Sequence, residues 1–271
     1  MLSKAKLQYL KNLSQKKHRE KEGVFFVEGW RSVEEVCGAL REIEILVYTK
    51  DAKENQRYAS VLLSAREKSK ERIEVSPAEF ALVADTVAAQ GIAAVVKKLA
   101  TSINTELEKL LMKDQAFIVA LDQIADPGNL GAIIRTSDWF GVEGILLSKN
   151  CVELYNPKVV RSTVGSIFHM PILNCSDGAE SFADVLEGLQ KSGFMIFGAE
   201  VSGTTDIRTI VWPKKSVLII GNEARGISPE IAKMIDKHIA IPKFGKSESL
   251  NAGVAAAVFL SHHAFQQKNA G

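Results

Sequence analysis

Short, almost wholly apolar runs alternate with helix-forming segments through the second half of the chain, and this alternation limits the fold more than any other feature. The apolar runs fall at residues 117–121, 144–147, 195–199, 217–220 and 238–241. Helical patterns lie near residues 128–139, 157–164, 182–191 and 229–235. Strands that are apolar along their length are buried on both faces, as in a parallel sheet covered by helices. The sequence therefore predicts an α/β domain over residues 115–271, with ligands bound beyond the carboxyl ends of its strands.

The first hundred residues show a similar alternation on a smaller scale. Strands are predicted at residues 24–27, 43–48, 73–75 and 92–96, with helices after Gly29, over residues 59–67 and from Pro77. We therefore expect a small α/β domain over residues 1–99. Residues 100–114 are polar and helix-prone, so they form either a linker or the first helix of the next domain, and we assign them as a linker.

Basic residues concentrate at the N-terminus. Residues 1–22 contain seven Lys or Arg and two Glu, whereas residues 115–271 contain 14 basic and 15 acidic residues. Such a basic run is either a solvated arm or a set of contacts to phosphates. Lys16, Lys17 and Arg19 are the candidates for phosphate contacts under the second interpretation.

Several classes of protein are disfavoured. No run of 18 apolar residues is available to span a membrane, and the N-terminus is too polar for a signal peptide. Cys37, Cys151 and Cys175 are widely spaced and odd in number, which argues against a disulfide framework and against a zinc site. His262 and His263 are adjacent and lack an evident third ligand. We expect a reduced, cytoplasmic protein without a metal.

Two segments imitate a phosphate-binding loop. Residues 198–203 and 221–226 each begin and end with Gly, but Thr204 or Ile227 stands where such a loop needs Lys. The dinucleotide fingerprint G-x-G-x-x-G is absent. Nucleoside triphosphate hydrolysis and Rossmann-type dinucleotide binding are therefore disfavoured.

Three other segments form a set. The first is Leu121-Asp-Gln-Ile-Ala-Asp-Pro-Gly-Asn-Leu-Gly-Ala-Ile-Ile-Arg-Thr136, a strand, a turn and a helix that carries Asn129 near its start and Arg135 about two turns later. The second is Leu218-Ile-Ile-Gly-Asn-Glu-Ala-Arg-Gly-Ile-Ser228, which begins as a strand.

The third segment, residues 241–258, is a Pro/Gly loop followed by a helix that Ser249 can cap. The apolar face predicted from helical spacing comprises Leu250, Val254, Ala257, Val258 and Phe265. Gly253 and the alanines that follow keep the helix thin, so another backbone can approach it closely.

In order and separation these three segments resemble the motifs of the SpoU/TrmH family, S-adenosylmethionine-dependent RNA ribose 2′-O-methyltransferases of the SPOUT superfamily. Residues 26–33, Phe-Val-Glu-Gly-Trp-Arg-Ser-Val, and residues 90–92, Gln-Gly-Ile, resemble that family's N-terminal RNA-binding domain. The resemblance covers most of the chain. It implies a small N-terminal L30e-like α/β domain and a C-terminal, mostly parallel sheet with an α/β trefoil knot, an exception to the rule that chains do not thread loops.

The resemblance also implies that loops of the knot hold the cofactor, S-adenosylmethionine, largely through backbone groups. The cofactor-binding residues implied are Gly198, Ile220, Gly221, Ile241, Ser249 and Leu250. Glycines permit close approach of the backbone to a ligand. Ile241 and Leu250 would sandwich the adenine, the alternative being that both are ordinary core residues.

Catalytic roles follow from the same resemblance. The residues implied are Arg135, Asn129, Glu223, Ser249 and Asn251. Arg135 would contact the ribose hydroxyl and an RNA phosphate, as a general base or as an electrostatic anchor. A guanidinium is a very poor proton acceptor, which favours the anchor. The alternatives are an exposed helical Arg and, for the other four, turn or cap residues.

The predicted RNA contacts are Arg135, Arg161, Lys16, Lys17 and Arg19, with a surface Arg as the alternative for Arg161. The leading interpretation is an enzyme that methylates a ribose in structured RNA. Ribosomal RNA is favoured over transfer RNA because of the separate N-terminal domain. The alternatives are a transfer-RNA ribose methyltransferase and a non-catalytic RNA- or ribosome-binding protein of the same fold. We also expect a homodimer formed through the C-terminal domain, because family members pair there and the thin last helix suits close packing.

Overall fold

A computed structural model of the chain describes residues 2–39, 41–86, 88–98, 103–175 and 181–269. The chain divides into two compact units. Unit 1 comprises residues 1–100 and 153–169, and unit 2 comprises residues 101–152 and 170–271.

The strands are, in chain order, β1 (Val24–Glu28), β2 (Ile43–Thr49), β3 (Ser69–Val75), β4 (Ile92–Lys97), β5 (Ala116–Leu121), β6 (Gly144–Leu147), β7 (Ile172–Asn174), β8 (Met195–Ala199), β9 (Thr205–Asp206), β10 (Lys215–Ile220) and β11 (Lys237–Ala240). The helices are α1 (Lys4–Asn12), α2 (Lys16–Glu22), α3 (Trp30–Gly38), α4 (Lys50–Glu54), α5 (Ala59–Lys68), α6 (Pro77–Ala81), α7 (Ile103–Leu111), α8 (Pro127–Trp139), α9 (Pro157–Thr163), α10 (Phe182–Lys191), α11 (Pro229–Ala232) and α12 (Ala252–Asn269).

Unit 1 is built on a four-stranded sheet in the order β1-β4-β2-β3. Strand β4 runs antiparallel to β1 and β2, and β3 runs parallel to β2. A core that includes Phe26, Val47 and Phe80 forms on the sheet, and helices α3 and α5 pack on strands and on each other. The four strands predicted for this part of the chain are confirmed.

The basic N-terminus is folded and is not a solvated arm. It forms α1 and α2, and Leu10 and Leu13 are buried in the core of unit 1. Their spacing places them on one side of a helix, so the segment is held by apolar contacts while its lysines point to solvent.

Arg19 is the exception among these basic residues. Its side chain is 2 % exposed, and its guanidinium forms an ion pair with Glu153 of the same unit. It also donates to the backbone oxygens of Leu13 and Ser14, at 2.8 and 2.7 Å. The prediction that Arg19 contacts RNA is therefore wrong, because its donors are already engaged inside the unit. Lys16 and Lys17 remain exposed.

Residues 153–169 belong to unit 1 although they follow a strand of unit 2 in sequence. Helix α9 packs on β1, and the rings of Tyr155 and Phe168 lie 4.6 and 6.0 Å from that of Phe25. Residues 1–99 are therefore not a complete folding unit. The predicted division did not include this return because nothing in the local sequence pattern indicates which sheet a helix packs on.

The predicted linker over residues 100–114 is also corrected. Residues 103–111 form α7, whose Leu107 and Leu110 are buried in the core of unit 2. The segment thus supplies the first helix of unit 2, the other possibility that its composition allowed. Residues 99–102, where the predicted boundary falls, lie outside the described residues.

Unit 2 contains a seven-stranded sheet in the order β7-β6-β5-β10-β8-β11-β9. Every pairing in it is parallel. Helices α7, α10 and α11 contribute to the core on one face, and α8 and α12 pack together on the other. The predicted mostly parallel, doubly covered sheet is confirmed. The sequence pattern did not reveal β7 and β9, which are only three and two residues long.

Helix α12 buries a different face from the one predicted. Phe259 and Leu260 are buried in the unit, whereas Leu250, Val254 and Phe265 are 49 %, 51 % and 64 % exposed. Ala257 and Val258, the other residues of the predicted face, are partly exposed. The predicted apolar face therefore lies largely on the outside of unit 2.

An aromatic cluster anchors α12 to the sheet. The ring of His263 stacks on that of Phe117 with centroids 3.8 Å apart, and Trp212 Nε1 donates to His262 Nδ1 at 2.9 Å. Burial lowers the pKa of His262, and burial together with the His262 charge lowers the pKa of His263 to about 4. Both rings are therefore neutral in the folded protein at neutral pH.

The depressed pKa of His263 predicts acid sensitivity of unit 2. Unfolded His binds a proton below a pH of about 6.5, whereas folded His263 does so only near pH 4, so stability should fall as pH drops between these values. His263→Phe should flatten this fall, as measured by urea unfolding followed by tryptophan fluorescence at pH 8 and pH 5. His18→Gln, a change in unit 1, should leave it intact. An unchanged pH dependence in His263→Phe would contradict the assignment.

Candidate active site

The three motifs meet at one edge of the unit 2 sheet. Strands β5 and β10 are neighbours with Leu121 opposite Ile220, so the loops that follow them leave the sheet side by side. The other neighbour of β5 in the sheet is β6, to which the chain continues from β5. The other neighbour of β10 is β8, on the opposite side of the pair. A crevice forms at such a point, where successive connections diverge.

Asn129 is the centre of the hydrogen bonding at this edge. Asp126 caps α8, and its Oδ1 accepts from the Asn129 backbone N–H at 2.8 Å. The Asn129 side chain is buried, and its Nδ2 donates to Glu223 Oε1 at 2.7 Å. Its Oδ1 accepts from Asn251 Nδ2 at 2.8 Å. One carboxamide thus joins all three motifs.

Glu223 is presented by a closed turn after β10. The backbones of Asn222 and Gly226 exchange two hydrogen bonds of 2.9 Å, and Asn222 Oδ1 accepts from the N–H groups of Ala224 and Arg225. A Cβ at Gly221 would lie 2.3 Å from the Gly226 carbonyl carbon, so only Gly fits there. Because these amides are already paired, the turn does not offer the open cradle of a phosphate-binding loop.

Asn251, not Ser249, caps the last helix. Its Oδ1 accepts from the N–H groups of Gly253 and Val254 at 2.9 and 3.3 Å. Ser249 is exposed, and its backbone oxygen accepts from Ser247 Oγ at 3.0 Å. The predicted cap was wrong by two residues because both side chains are good caps.

The close approach predicted for the last helix is confirmed at Gly253. A Cβ built there would lie 3.3 Å from the Ala132 Cβ on α8 and 3.2 Å from Asn251 Oδ1. A side chain at this point would crowd Ala132 and the Asn251 cap, so the small residue favours the close packing of α12 on α8.

Arg135 lies on α8, six residues and about 9 Å of helix beyond Asn129. Its side chain is exposed, and it makes no hydrogen bond or ion pair with any residue that the structure describes. Asn129 bonds to Glu223 and to Asn251 and not to Arg135. The guanidinium is therefore free for an external partner.

Two of the predicted cofactor residues, Gly198 and Ile220, lie on strands β8 and β10. Gly221 and Ile241 directly follow β10 and β11, and Ser249 and Leu250 lie in the loop before α12. Strands β10, β8 and β11 are adjacent, and their carboxyl ends lead to Gly221, the loop after Ala199, and Ile241. Ile241 is partly exposed and Leu250 is 49 % exposed. Accessible aliphatic side chains beside strand-end backbone suit a flat heteroaromatic ring, so the residues present fit an adenosine-type cofactor.

Two of the predicted cofactor residues have a packing role in this structure. Ile220 is buried at the end of β10. Gly198 is buried within β8, and a Cβ there would lie 2.4 Å from the side chain of Ile235 and 3.2 Å from that of Ile227. The absence of a side chain at Gly198 is therefore required by packing, and a cofactor contact is left only to its backbone.

The remaining predicted RNA contacts lie in unit 1 and have acidic neighbours. Arg161 Nη1 is 2.5 Å from Asp85 Oδ2. Lys16 Nζ lies 3.5 Å from Glu20 Oε1 in an exposed ion pair. Such a pair is weak, so Lys16 can still bind another anion. Lys17 is exposed.

Sequence reasoning missed the residues that fix the two motif loops to each other. The buried Asp122 accepts from the Ser228 N–H at 2.7 Å through Oδ2, and Asn222 Nδ2 donates to the Gln123 backbone oxygen at 2.8 Å. Both Asp122 and Asn222 lie within two residues of the end of a buried strand. That position was the available signal, since a polar side chain there can bridge to the adjacent loop.

Comparison with known families agrees with this geometry. Residues 116–261 match the SpoU rRNA Methylase family, and residues 4–94 match the MRM3-like substrate binding domain. The chain belongs to the SpoU rRNA methylase family. The resemblance drawn from the three motifs is thereby confirmed, as is the fold that it implied, and a trefoil knot fits that fold.

Individual relatives extend over nearly the whole chain. The 23S rRNA (guanosine(2553)-2′-O)-methyltransferase RlmP of Bacillus subtilis is 30 % identical over 259 residues, which cover 93 % of each chain. The crystal structure of the SpoU methyltransferase AviRb from Streptomyces viridochromogenes with AdoMet has a TM-score of 0.85 at 27 % identity and covers 98 % of this chain and 99 % of that one. An AdoMet-bound rRNA methyltransferase from Sinorhizobium meliloti has a TM-score of 0.82 at 27 % identity, with coverage of 97 % and 96 %.

Neither a metal site nor a membrane-spanning helix occurs among the described residues. No group of three or more His, Cys, Asp or Glu side chains is arranged to hold a metal ion. None of the described helices is both long and apolar enough to cross a membrane.

The contact between Asn129 and Glu223 predicts a pH-sensitive variant. Asn129→Asp places a second carboxylate against Glu223, and repulsion raises the pKa of the pair in the folded state above the unfolded values of about 3.9 and 4.3. Stability should then fall as pH rises from about 4 to 7, with a loss of about 1–3 kcal/mol at pH 8. Thermal unfolding across this pH range measures the effect.

Asn150→Asp is the matched control, because the same chemical change is made at an exposed turn. It should follow the parent protein at every pH. Parent-like pH dependence in Asn129→Asp would mean that the two side chains do not meet in solution.

Proposed function

We propose that this protein transfers the methyl group of S-adenosylmethionine to a ribose 2′-hydroxyl of ribosomal RNA. The observation that carries the proposal is the hydrogen-bonded chain Glu223–Asn129–Asn251, which joins three separate motifs at a ligand-binding edge of a parallel sheet. Membership of the SpoU rRNA methylase family and the 2′-O-methyltransferase name of the Bacillus subtilis relative support it.

The cofactor-binding loops follow β8, β10 and β11. When bound, S-adenosylmethionine supplies a methyl group already activated by its sulfonium. The protein must therefore mainly align donor and acceptor. Backbone groups at Gly221 and Gly198 would hold the cofactor, with Ile220 beneath and Ile241 and Leu250 flanking the adenine. Ser249 lies next to Leu250 in the same exposed loop and would contact the cofactor or the ribose.

We assign the contacts to the RNA ribose to two groups of residues. One is the Asn129 cluster, formed by Glu223, Asn129 and Asn251, and the other is Arg135. Glu223 is exposed and acceptor-only when ionised, so it can take a hydrogen bond from the attacking hydroxyl. Asn129 and Asn251 fix the position of that carboxylate. Arg135, which has a free guanidinium, stabilises the developing alkoxide and holds the adjacent phosphate. We assign it this anchoring role and not that of a general base, because guanidinium does not give up its proton.

RNA is the partner that this chemistry requires. Unit 1 carries the region that matches a substrate-binding domain, and Lys16 and Lys17 on α2 are free to approach phosphates. Arg161 is paired with Asp85, so it can bind a phosphate only if that ion pair breaks. A transfer-RNA substrate and a non-catalytic RNA-binding role are the alternatives that a methylation assay distinguishes. We place the activity in the cytoplasm, where the thiols of Cys37, Cys151 and Cys175, none of them in a disulfide, would stay reduced.

We also infer that two copies pair through α12. Leu250, Val254 and Phe265 form an apolar stripe that is about half exposed, and Trp139 at the end of the adjacent α8 is 82 % exposed. Large exposed apolar patches mark interaction surfaces. Self-association of this stripe is symmetric and would surround Arg135 with residues of a second copy, completing an RNA site that one chain leaves open.

Arg135→Ala should lower methyl transfer by on the order of a hundred- to a thousandfold while leaving cofactor affinity nearly unchanged, because a charge-stabilising donor is lost and the cofactor loops are intact. Transfer of tritiated methyl from S-adenosylmethionine to ribosomal RNA measures the first quantity, and calorimetry measures the second. Arg135→Lys should be nearly as inactive, since lysine lacks the planar fork that grips two oxygens.

Arg208→Ala serves as the control for Arg135, because Arg208 is a surface Arg of unit 2 already paired with Asp206. It should retain full activity. Near-normal turnover in Arg135→Ala would remove Arg135 from the mechanism, and absence of transfer by the parent protein to any ribosomal or transfer RNA would refute the enzymatic function.

Val254→Glu should convert a dimer to a monomer, because it places a charge at the centre of the apolar stripe. Light scattering at micromolar concentration measures the mass. Leu63→Glu, at an exposed aliphatic position of unit 1, should remain dimeric. A parent protein that is monomeric and active at this concentration would contradict the pairing.

A further inference from the structure

Unit 1 contains a cavity of about 220 Å³. It lies where β2 ends, α4 and α6 begin, and the chain enters β4 through Gln90 and Gly91. The volume is below the ~300–1,000 Å³ of pockets that enclose drug-sized ligands, so it suits a single small ring system.

The floor of the cavity is held in one conformation. The Thr49 N–H donates to the Gly91 backbone oxygen at 2.8 Å, and Thr49 Oγ1 accepts from the Ala52 N–H at 3.2 Å. Gly91 has φ +73°, and a Cβ there would lie 2.4 Å from Thr49 Oγ1. Phe80 and Pro77 supply apolar wall. The cleft is open to solvent, because Asp51, Asn55, Ala89 and Gln90 of its lining are exposed, while its floor is held by these backbone contacts.

Three polar side chains line the cavity with unused capacity. The Asp51 carboxylate makes no hydrogen bond or ion pair with any described residue. Asn55 uses its Oδ1 to accept from the Arg57 N–H at 3.1 Å, and Gln90 uses its Oε1 to accept from the Trp30 N–H at 2.9 Å. These bonds fix the two amides so that an NH₂ group of each is left over. The cavity therefore offers one strong acceptor and two neutral donors.

This set complements guanine better than the other bases. Guanine alone has two adjacent donors, N1–H and N2–H, on its pairing edge, which a carboxylate accepts together. Its O6 and N7 acceptors match amide donors. Adenine and cytosine present a ring nitrogen acceptor where a carboxylate needs a donor, and uracil presents only one N–H.

The surroundings favour a base that belongs to a nucleic acid strand. Arg57 lies next to the cavity with its guanidinium 5.3 Å from the centre of the Tyr58 ring and has no described carboxylate partner. The Tyr58 ring is stacked on the buried Trp30 ring, with centroids 4.7 Å apart. A fixed aromatic ring under an unpaired guanidinium is a common arrangement for contacting RNA bases and phosphates.

We propose that this cavity receives one unpaired guanine of the RNA substrate, read by Asp51, Asn55 and Gln90. The inference rests on the proposed function, because it takes RNA as the partner. The guanine is a recognition nucleotide bound by unit 1. It is distinct from the methylated nucleotide, whose chemistry belongs to the Asn129 cluster of unit 2.

The test uses the full chain and fluorescently labelled uridine pentamers whose central base is guanine, adenine, cytosine or uracil. Anisotropy titration should show that the guanine pentamer binds at least about fivefold more tightly than the others, since one bidentate base contact contributes ~1–3 kcal/mol of discrimination. Asp51→Asn should abolish the preference, because the new NH₂ opposes the guanine donors. Glu54→Gln, the same change on the same helix outside the cavity, should keep it.

A second variant covers the case in which Asp51→Asn does not fold. Ala89→Leu fills the cavity from an exposed rim position. It should weaken binding of the guanine pentamer until its affinity equals that of the other three pentamers. Equal binding of all four pentamers by the parent protein, no measurable binding of the guanine pentamer, or an unchanged preference in either variant would overturn the proposal. Methyl transfer to ribosomal RNA is measured in parallel. Transfer without guanine preference refutes the cavity assignment alone, whereas absence of transfer refutes the proposed function.

Discussion

The carboxamide of Asn129 is the interaction on which the site depends. It donates to Glu223 and accepts from Asn251 within 2.8 Å, so loops that are distant in sequence share one buried group. A carboxamide can do this because it has a donor and an acceptor at fixed separation. Neither a carboxylate nor an ammonium could make both contacts without leaving a buried charge or an unsatisfied partner.

Several local features exist to keep that bond in place. Asp126 orders the first turn of α8 by capping it, and the cap formed by Asn251 ties the start of α12 to the same point. Gly253 allows α12 to come within van der Waals contact of Ala132. The turn closed by Asn222 holds Glu223 where its carboxylate accepts from Asn129 Nδ2 and, at 3.4 Å, from the N–H groups of Ala125 and Asp126. A residue in this region can therefore be required for function while touching no substrate.

In unit 1, one basic side chain is buried and stabilises the fold, whereas neighbouring basic side chains are exposed. Arg19 is buried and paired with Glu153, so it holds α2 to the returning segment 153–169. Lys16 and Lys17, three and two residues before it, are exposed and available to a polyanion. Amphipathic placement along a helix separates the two roles. A count of basic residues could not predict this separation, because a count does not distinguish buried from exposed side chains.

By itself the sequence determined the α/β class and most strand positions, because apolar periodicity is a local signal. The motif residues were identified through their resemblance to the SpoU/TrmH family. It also placed Asn129, Glu223 and Asn251 in one site through their motifs. Only the tertiary structure decided that residues 153–169 pack in unit 1, that Asn251 and not Ser249 caps α12, and that Leu250, Val254 and Phe265 face outward. These outcomes depend on which surfaces meet across long stretches of chain. Helical spacing specifies that a face is apolar but not what covers it.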